Sequence, residues 1–286
     1  MRKAHSTYNI FVRFMSRVML GICVAFTILI LVILILVTGY LAYKGIGSLS
    51  WSFFTEVPSG RVDAPGGMKH ALMGTLVLVA LASFVGIPTG MLCGIYLAEY
   101  SANTFLAHPV RFIADVLTGV PSIVVGILGY ELLVVPLGHF NGYAGSLALA
   151  FIMIPIVART TEEMLRLVPN SYREASIALG ATKARTILTV VVPAATGSIV
   201  TGIMLAIARV AGETAPLLFT ALGNRLFTLD PKYPFPSLTV QIFTYATGPY
   251  AAQRQLAYAG MIVLIALIFV LNLAIRYFTR SSLTRA

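Results

Sequence analysis

Charge is the scarcest feature of this sequence. Only 10% of its 286 residues are Asp, Glu, Lys or Arg, against 58% hydrophobic, and the mean hydropathy is +0.89. A soluble domain carries roughly 25% charged residues, so a soluble globular fold is excluded. Cysteine is as sparse: Cys23 and Cys93 both fall inside apolar stretches and read as small buried hydrophobes, not as a disulfide framework. The four histidines, His5, His70, His108 and His139, show no metal-ligand spacing. No G-x-x-x-x-G-K-[ST] run occurs, so the chain has no loop to cradle the phosphates of ATP. No nucleophile–base cluster argues for an enzyme. The net charge of +10 is scattered between apolar runs with no basic face, which excludes a nucleic-acid partner.

What the sequence does have is uncharged runs long enough to cross hydrocarbon, each needing roughly 20 apolar residues. The first is Val18 to Tyr43, too long for a signal-peptide core. The second, Ala71 to Ala98, carries Gly86, Gly90 and Gly94 every four residues, a small-residue face for close packing, with Pro88 as a kink. A third is expected from Phe112 to Val135, with Asp115 and Glu131 near its ends, and a fourth from Phe140 to Ala158 with Pro155 near its end. The fifth is expected from Pro193 to Ala221 and the sixth from Leu256 to Ile275. The outer loops, with Trp51, Phe53 and Phe54 in one and a Pro- and Tyr-rich stretch from Asn224 to Arg254 in the other, suit anchoring at the interface.

The basic residues test that count. With both termini inside, thirteen of the 20 Lys and Arg fall in inner segments (Arg2, Lys3, Arg13, Arg17, Arg111, Arg159, Arg166, Arg173, Lys183, Arg185, Arg276, Arg280, Arg285), six fall outside, and Arg209 stays in a span. The positive-inside bias therefore favours an all-α polytopic membrane protein of about six transmembrane helices with both termini cytoplasmic.

The polar segment 159–193 holds the strongest local signal. Ser171-Tyr172-Arg173-Glu174 has the form of a capping box, Tyr172, Ala175, Ser176 and Leu179 fall on one small-residue face, and Gly180 suits a left-handed helix end. Thr182 is placed to cap the next helix. Such a short exposed helix serves either to dock in a partner's groove or to lie on lipid.

Inside the fifth span, Arg209 and Glu213 are four apart and can pair, beside Gly212 and Pro216. Each charge at a helix centre costs at least ~2.5–3.5 kcal/mol, so it faces a cavity or a partner. Arg is the suitable host for an oxyanion, and Arg159 at the inner end of span four is a second candidate station. The bland alternatives are a structural ion pair for Arg209–Glu213 and a positive-inside charge for Arg159. Asp115 and Glu131 read as structural.

Glu174-Ala175-Ser176, Gly180, Val190, Val192 and Pro193 keep the spacing of the EAA loop of bacterial ABC importer permeases, with Ser for the last Ala and Val for Ile and Leu. RTTEEMLRLVPNSYREASIALGAT and ARVAGETAPLLFTALG between Ala158 and Leu222, TGVPSIVVGI, FPSLTVQIFTYATGP and GGMKHALMGTL resemble the A-type permease of the phosphate-specific (Pst) transporter family over most of residues 66–275. This resemblance implies a type I importer permease (MetI-like) architecture in the bacterial inner membrane. Residues 1–17 would be a cytoplasmic segment and 18–286 the permease domain, with its core at 70–279. It further implies a coupling helix at Glu174 to Gly180, phosphate passage at Arg159 and Arg209, a second homologous permease, two ATPase subunits that use ATP and Mg, and an external phosphate-binding protein. No cofactor is implied on this chain. Two rival readings stand: a permease of this architecture for another oxyanion or solute, and a secondary transporter coupled to protons through Glu131, Asp115 or Glu213.

Overall fold

The computed structural model describes residues 2–61, 66–101, 105 and 107–283, with side chains of 12–61, 66–101, 105 and 107–277. The side chains of Arg2, Lys3, Arg280 and Arg285, counted above among the inner charges, lie outside that set. Thirteen α-helices follow along the described chain: α1 (Arg2–Gly45), α2 (Trp51–Thr55), α3 (Lys69–Ile95), α4 (Ala107–Gly119), α5 (Ser122–Gly129), α6 (Val135–Leu137), α7 (Gly142–Arg166), α8 (Asn170–Ala178), α9 (Lys183–Thr186), α10 (Val192–Ala211), α11 (Ala215–Thr220), α12 (Leu238–Thr247) and α13 (Ala251–Leu283). Five stretches are long and apolar enough to cross a membrane, and the bent pair α4 with Ser122–Leu137 makes a sixth if it counts as one span.

α1 stands apart. Its most apolar stretch buries nothing within the chain, and its Leu, Ile and Val side chains from Val12 to Val37 are 39–66% exposed, as a lipid-facing helix requires. Its few hydroxyls are satisfied locally: Thr27 donates to the Cys23 carbonyl at 2.8 Å and Thr38 to that of Leu34. The helix meets the rest of the protein at α13, where the Tyr40 and Tyr258 rings sit edge to face at 6.2 Å.

The centre of the bundle is α3 laid against α7. A Cβ built on Gly86 would come 3.0 Å from the Met153 sulfur, on Gly90 2.8 Å from the Ile154 carbonyl, and on Gly94 2.5 Å from that of Ala158. The four-residue glycine face read from the sequence is thus the α3–α7 contact, where backbones approach too closely for any side chain. Around it Leu78, Leu149, Met153, Val157, Ala206, Val210, Leu217 and Phe235 form the main core.

Three expected spans have other limits. The third is no straight crossing: α4 and the Ser122–Leu137 segment meet at 105°. Gly119 ends α4, and Pro121, with an extended ψ of 131° and no N–H to donate, turns the chain. The fourth, α7, runs on to Arg166, so Arg159 sits inside a helix and not in a loop. The fifth begins at Lys183, ten residues before Pro193, and ends at Ala211. Pro193 is carried inside it because the wider π-turn Ile187–Val191 precedes it and absorbs the missing donor; the π-turn Tyr130–Val134 precedes Pro136 in the same way. Pro216 opens α11 and does not break α10; the break is Gly212–Thr214.

The stretch 224–254, expected as an outer loop, contains α12. At 10 residues it is too short to cross. Ser237 caps it by accepting from Val240 N, the Leu238 N–H donates to Thr75 Oγ1 at 2.8 Å, and the Thr239 hydroxyl donates to the Glu213 carbonyl at 3.0 Å. α12 therefore hangs from α3 and touches the break after α10.

Gly90→Val is expected to force α3 off α7 and to destabilise the folded protein by ~1–3 kcal/mol, the usual range for overpacking. A lowered melting temperature in detergent would register it, and Ala at the neighbouring exposed position Thr89 should not.

Candidate functional site

α8 is the helix the sequence proposed for docking, and none of its residues is buried. Leu179 is 91% exposed and Tyr172 and Ile177 are more than half exposed, so apolar side chains project from the end of the bundle with nothing of this chain to cover them. Its start differs from expectation. The helix begins at Asn170 with Pro169 at the cap and no side-chain cap bond, so Ser171 and Glu174 do not form a capping box. Proline pre-sets the entry angle instead, two residues earlier. Its end is as expected: Gly180 adopts φ +86° with open space around it, and the Thr182 side chain accepts from Arg185 N at 3.3 Å to cap α9. Ser176 meets Thr186 at 2.8 Å, tying α8 to α9.

The inner side of α8 is held by Arg173, whose guanidinium reaches the Glu99 carboxylate just beyond α3. A second charge cluster surrounds Glu162 of α7, only 1% exposed. Arg111 of α4 approaches it at 2.6 Å, Arg166 at 2.8 Å and Arg159 at 3.3 Å. Three guanidinium groups surround this one buried carboxylate, and Asp115 meets Arg159 at 2.9 Å on the exposed side of the cluster. Arg159 is thus committed to Asp115, Glu162 and, at 4.0 Å, Glu163. An anion arriving there must displace a carboxylate.

Arg209 is placed differently. Glu213 lies past the last turn of α10, not on it, yet the pair survives at 3.6 Å. That separation exceeds the 2.7–2.9 Å of a charge-assisted hydrogen bond. The Arg209 side chain is 47% exposed, and among the described residues its guanidinium makes no hydrogen bond. Arg209 therefore combines a fixed charge with spare forked donors, held beside a carboxylate, at a helix break where Gly212 is exposed.

Sequence reasoning found Arg173, Arg159, Arg209 and Glu213 but passed over Glu162, Glu99 and Arg111. Glu162 was legible: it lies three residues after Arg159 and four before Arg166 on one helix. Glu99 and Arg111 were not, since their partners are 74 and 51 residues away.

Five helices long and apolar enough to cross a membrane, with an exposed short helix at one end of the bundle, define a polytopic membrane protein. Known proteins agree. Residues 86–283 match the family described as binding-protein-dependent transport system inner membrane component. The phosphate transport system permease protein PstA of Yersinia pestis is 46% identical over 233 residues, 82% of this chain and 79% of that protein. The Haemophilus influenzae protein of the same name is 40% identical over 263 residues, 92% and 93% of the two chains. In fold, the chain is similar to the inward-facing MetNI methionine ABC transporter (TM-score 0.61, 20% identity, 75% of this chain and 96% of that one). An amino acid ABC transporter aligns with TM-score 0.53 at 20% identity, covering 77% and 93%. The chain belongs to the binding-protein-dependent transport system inner membrane components and, within them, to the PstA family of phosphate transport system permeases.

Two variants probe this end of the molecule. Glu162→Ala leaves Arg111, Arg159 and Arg166 facing one another without a buried counter-charge, and a loss of ~3–5 kcal/mol is expected in thermal unfolding. Gly180→Val puts a β-branched residue at a left-handed position, at a local strain of at least ~1–2 kcal/mol. Because the space around Gly180 is open, the bundle should stay folded while partner-stimulated ATP hydrolysis fails.

Proposed function

We propose that this chain is the multi-pass permease subunit of an ATP-driven importer of inorganic phosphate, forming half of the translocation path. The observation that carries the reading is the exposed helix α8 at one end of a bundle that also holds the loosely paired Arg209–Glu213, 3.6 Å apart where α10 ends. In this reading α8, from Tyr172 and Arg173 through Glu174, Ala175, Ser176 and Leu179 to Gly180, seats in an ATPase subunit on the cytoplasmic side. Both termini face the cytoplasm, and the permease core of 70–279 sits in the inner membrane.

Energy enters from the partners. The chain is not itself an enzyme; ATP and Mg belong to two ATPase subunits, and a second, homologous permease completes the path. An external phosphate-binding protein delivers the anion to the face opposite α8.

Arg209 is the phosphate host. Its spare N–H donors match the oxygens of an oxyanion in fork geometry, and Glu213 at 3.6 Å repels the anion enough to prevent permanent capture. Arg159 is the inner station. Its partner Asp115 is 54% exposed and exchanges readily with solvent, which opens the guanidinium to a departing anion.

Arg209→Ala should abolish labelled phosphate uptake by whole cells while the complex still assembles and co-purifies with its ATPase. Retained uptake would remove Arg209 from the path. Substrate choice is read by competition: excess sulfate, molybdate and phosphonate should leave phosphate uptake unaltered. Transport by the chain alone on a pH gradient, without an ATPase, would overturn the importer reading in favour of a proton-coupled carrier.

A further inference from the structure

Two carboxylates at the end bearing α8 are nearly sealed from water, with side-chain exposures of 6% for Glu99 and 1% for Glu162. Each is held by an arginine from a flanking helix, and the two arrangements cross. Arg111, from α4, binds Glu162 on α7 and donates Nη2 to the Leu97 carbonyl at the end of α3 (2.9 Å) and to Ser101 Oγ (2.7 Å). Arg173, from α8, binds Glu99 at the end of α3 and donates to the Leu165 carbonyl (2.9 Å) and the Val168 carbonyl (2.7 Å) at the end of α7. Each arginine thus grips the acid of one core helix and the carbonyls of the other.

Arg173 is the better saturated. Its Nε lies 3.1 and 3.2 Å from the two Glu99 oxygens, Nη2 reaches the first of them at 2.5 Å, and Nη1 lies 3.5 Å from Asn170 Oδ1. The Leu165 carbonyl also accepts from Val168 N at 3.2 Å, and Val168 lies just past the end of α7. A lysine offers one point charge and cannot span these groups.

A helix that receives force must be loose toward its driver and stiff toward its load. α8 is bare on its outer side, and its inner side is fixed mainly through Arg173. From Glu99 the load continues along α3, packed backbone to backbone on α7, to Thr75, which accepts from α12, whose Thr239 donates to the Glu213 carbonyl. Physical contact therefore runs unbroken from α8 to the residue paired with Arg209.

We propose that Glu99 is a positioning residue of the transport cycle: its bidentate pair with Arg173 locks α8 to α3, so that displacement of α8 by the motor subunit moves the α3–α7 unit. The proposal rests on the importer reading above and adds Glu99 and the direction of transmission to it.

The test uses the full complex in proteoliposomes with its external phosphate-binding protein, measuring phosphate moved per ATP hydrolysed. Glu99→Gln keeps the shape and removes the charge. It should assemble, retain basal ATP hydrolysis and lower phosphate per ATP about tenfold, within the range for a residue in a coupling network. Arg173→Lys should lower the same ratio, and the double variant should be no worse than the poorer single one, because both break one link. An unaltered ratio in Glu99→Gln, or losses that add in the double variant, would overturn the proposal. Should Glu99→Gln not assemble, Arg173→Lys carries the test; failure of both to assemble makes the pair a folding element and also overturns it. A wild-type complex that hydrolyses ATP but moves no phosphate sinks the phosphate reading alone. The clamp is then read as stimulation of ATP hydrolysis by the external binding protein, which Glu99→Gln should abolish.

Discussion

Hydrocarbon cannot solvate a charge or a free peptide group, and nearly every feature of this chain answers to that constraint. Several hydroxyls inside the spans return to their own helix: Thr89 donates to the Val85 carbonyl at 2.7 Å, Thr160 to that of Ile156 at 2.9 Å, and Thr196 to that of Val192 at 2.8 Å. Two prolines are admitted behind π-turns that redistribute the missing donor. Acidic side chains collect at one end of the bundle and are matched there by arginines, and Glu162 is matched three times over. Arg209, in the last turn of α10, has only Glu213 beside it among the described residues, at 3.6 Å, where the helix ends.

The same comparison sorts the arginines. Arg173 uses Nε, Nη1 and Nη2 on carboxylate and carbonyl oxygens, and Arg111 uses Nε and Nη2, so both hold helices together. Arg209 has one partner at 3.6 Å and donors to spare. Arg159 lies between the two extremes, with a buried anchor in Glu162 and an exposed, exchangeable one in Asp115. Counting satisfied donors separates roles that residue type and membrane position alone leave merged.

Local signals in the sequence were legible and long-range ones were not. The glycine spacing at 86, 90 and 94 marked the helix face that meets α7, and Gly180 and Thr182 marked the end of one short helix and the start of the next, because each depends only on neighbouring residues. The Ser171–Glu174 capping box failed because Pro169 had already fixed the entry to α8. Span ends failed where prolines were read as boundaries: Pro193 is inside its helix, Pro216 opens one, and Pro121 alone turns the chain sharply. α12 escaped because a short helix buried between crossings has no amphipathic face to advertise it. Glu99 and Arg111 escaped because their partners are fixed by the tertiary fold.

Stiffness is what makes the buried charges useful. A helix pair with a layer of flexible side chains between its members can slide, and a push at one end is lost in rotamer changes. α3 and α7 meet through glycines, so the contact is backbone against backbone and cannot shear without breaking it. Over the 32 residues of Lys69–Tyr100, about 48 Å at helical rise, such a pair behaves as a strut. A strut delivers force only if both ends are fastened. At one end the fastening is Glu99 to Arg173; at the other it is Thr75 to Leu238, a single neutral hydrogen bond at 2.8 Å. The charged, forked joint lies at the α8 end and the neutral one lies toward the break beside Arg209.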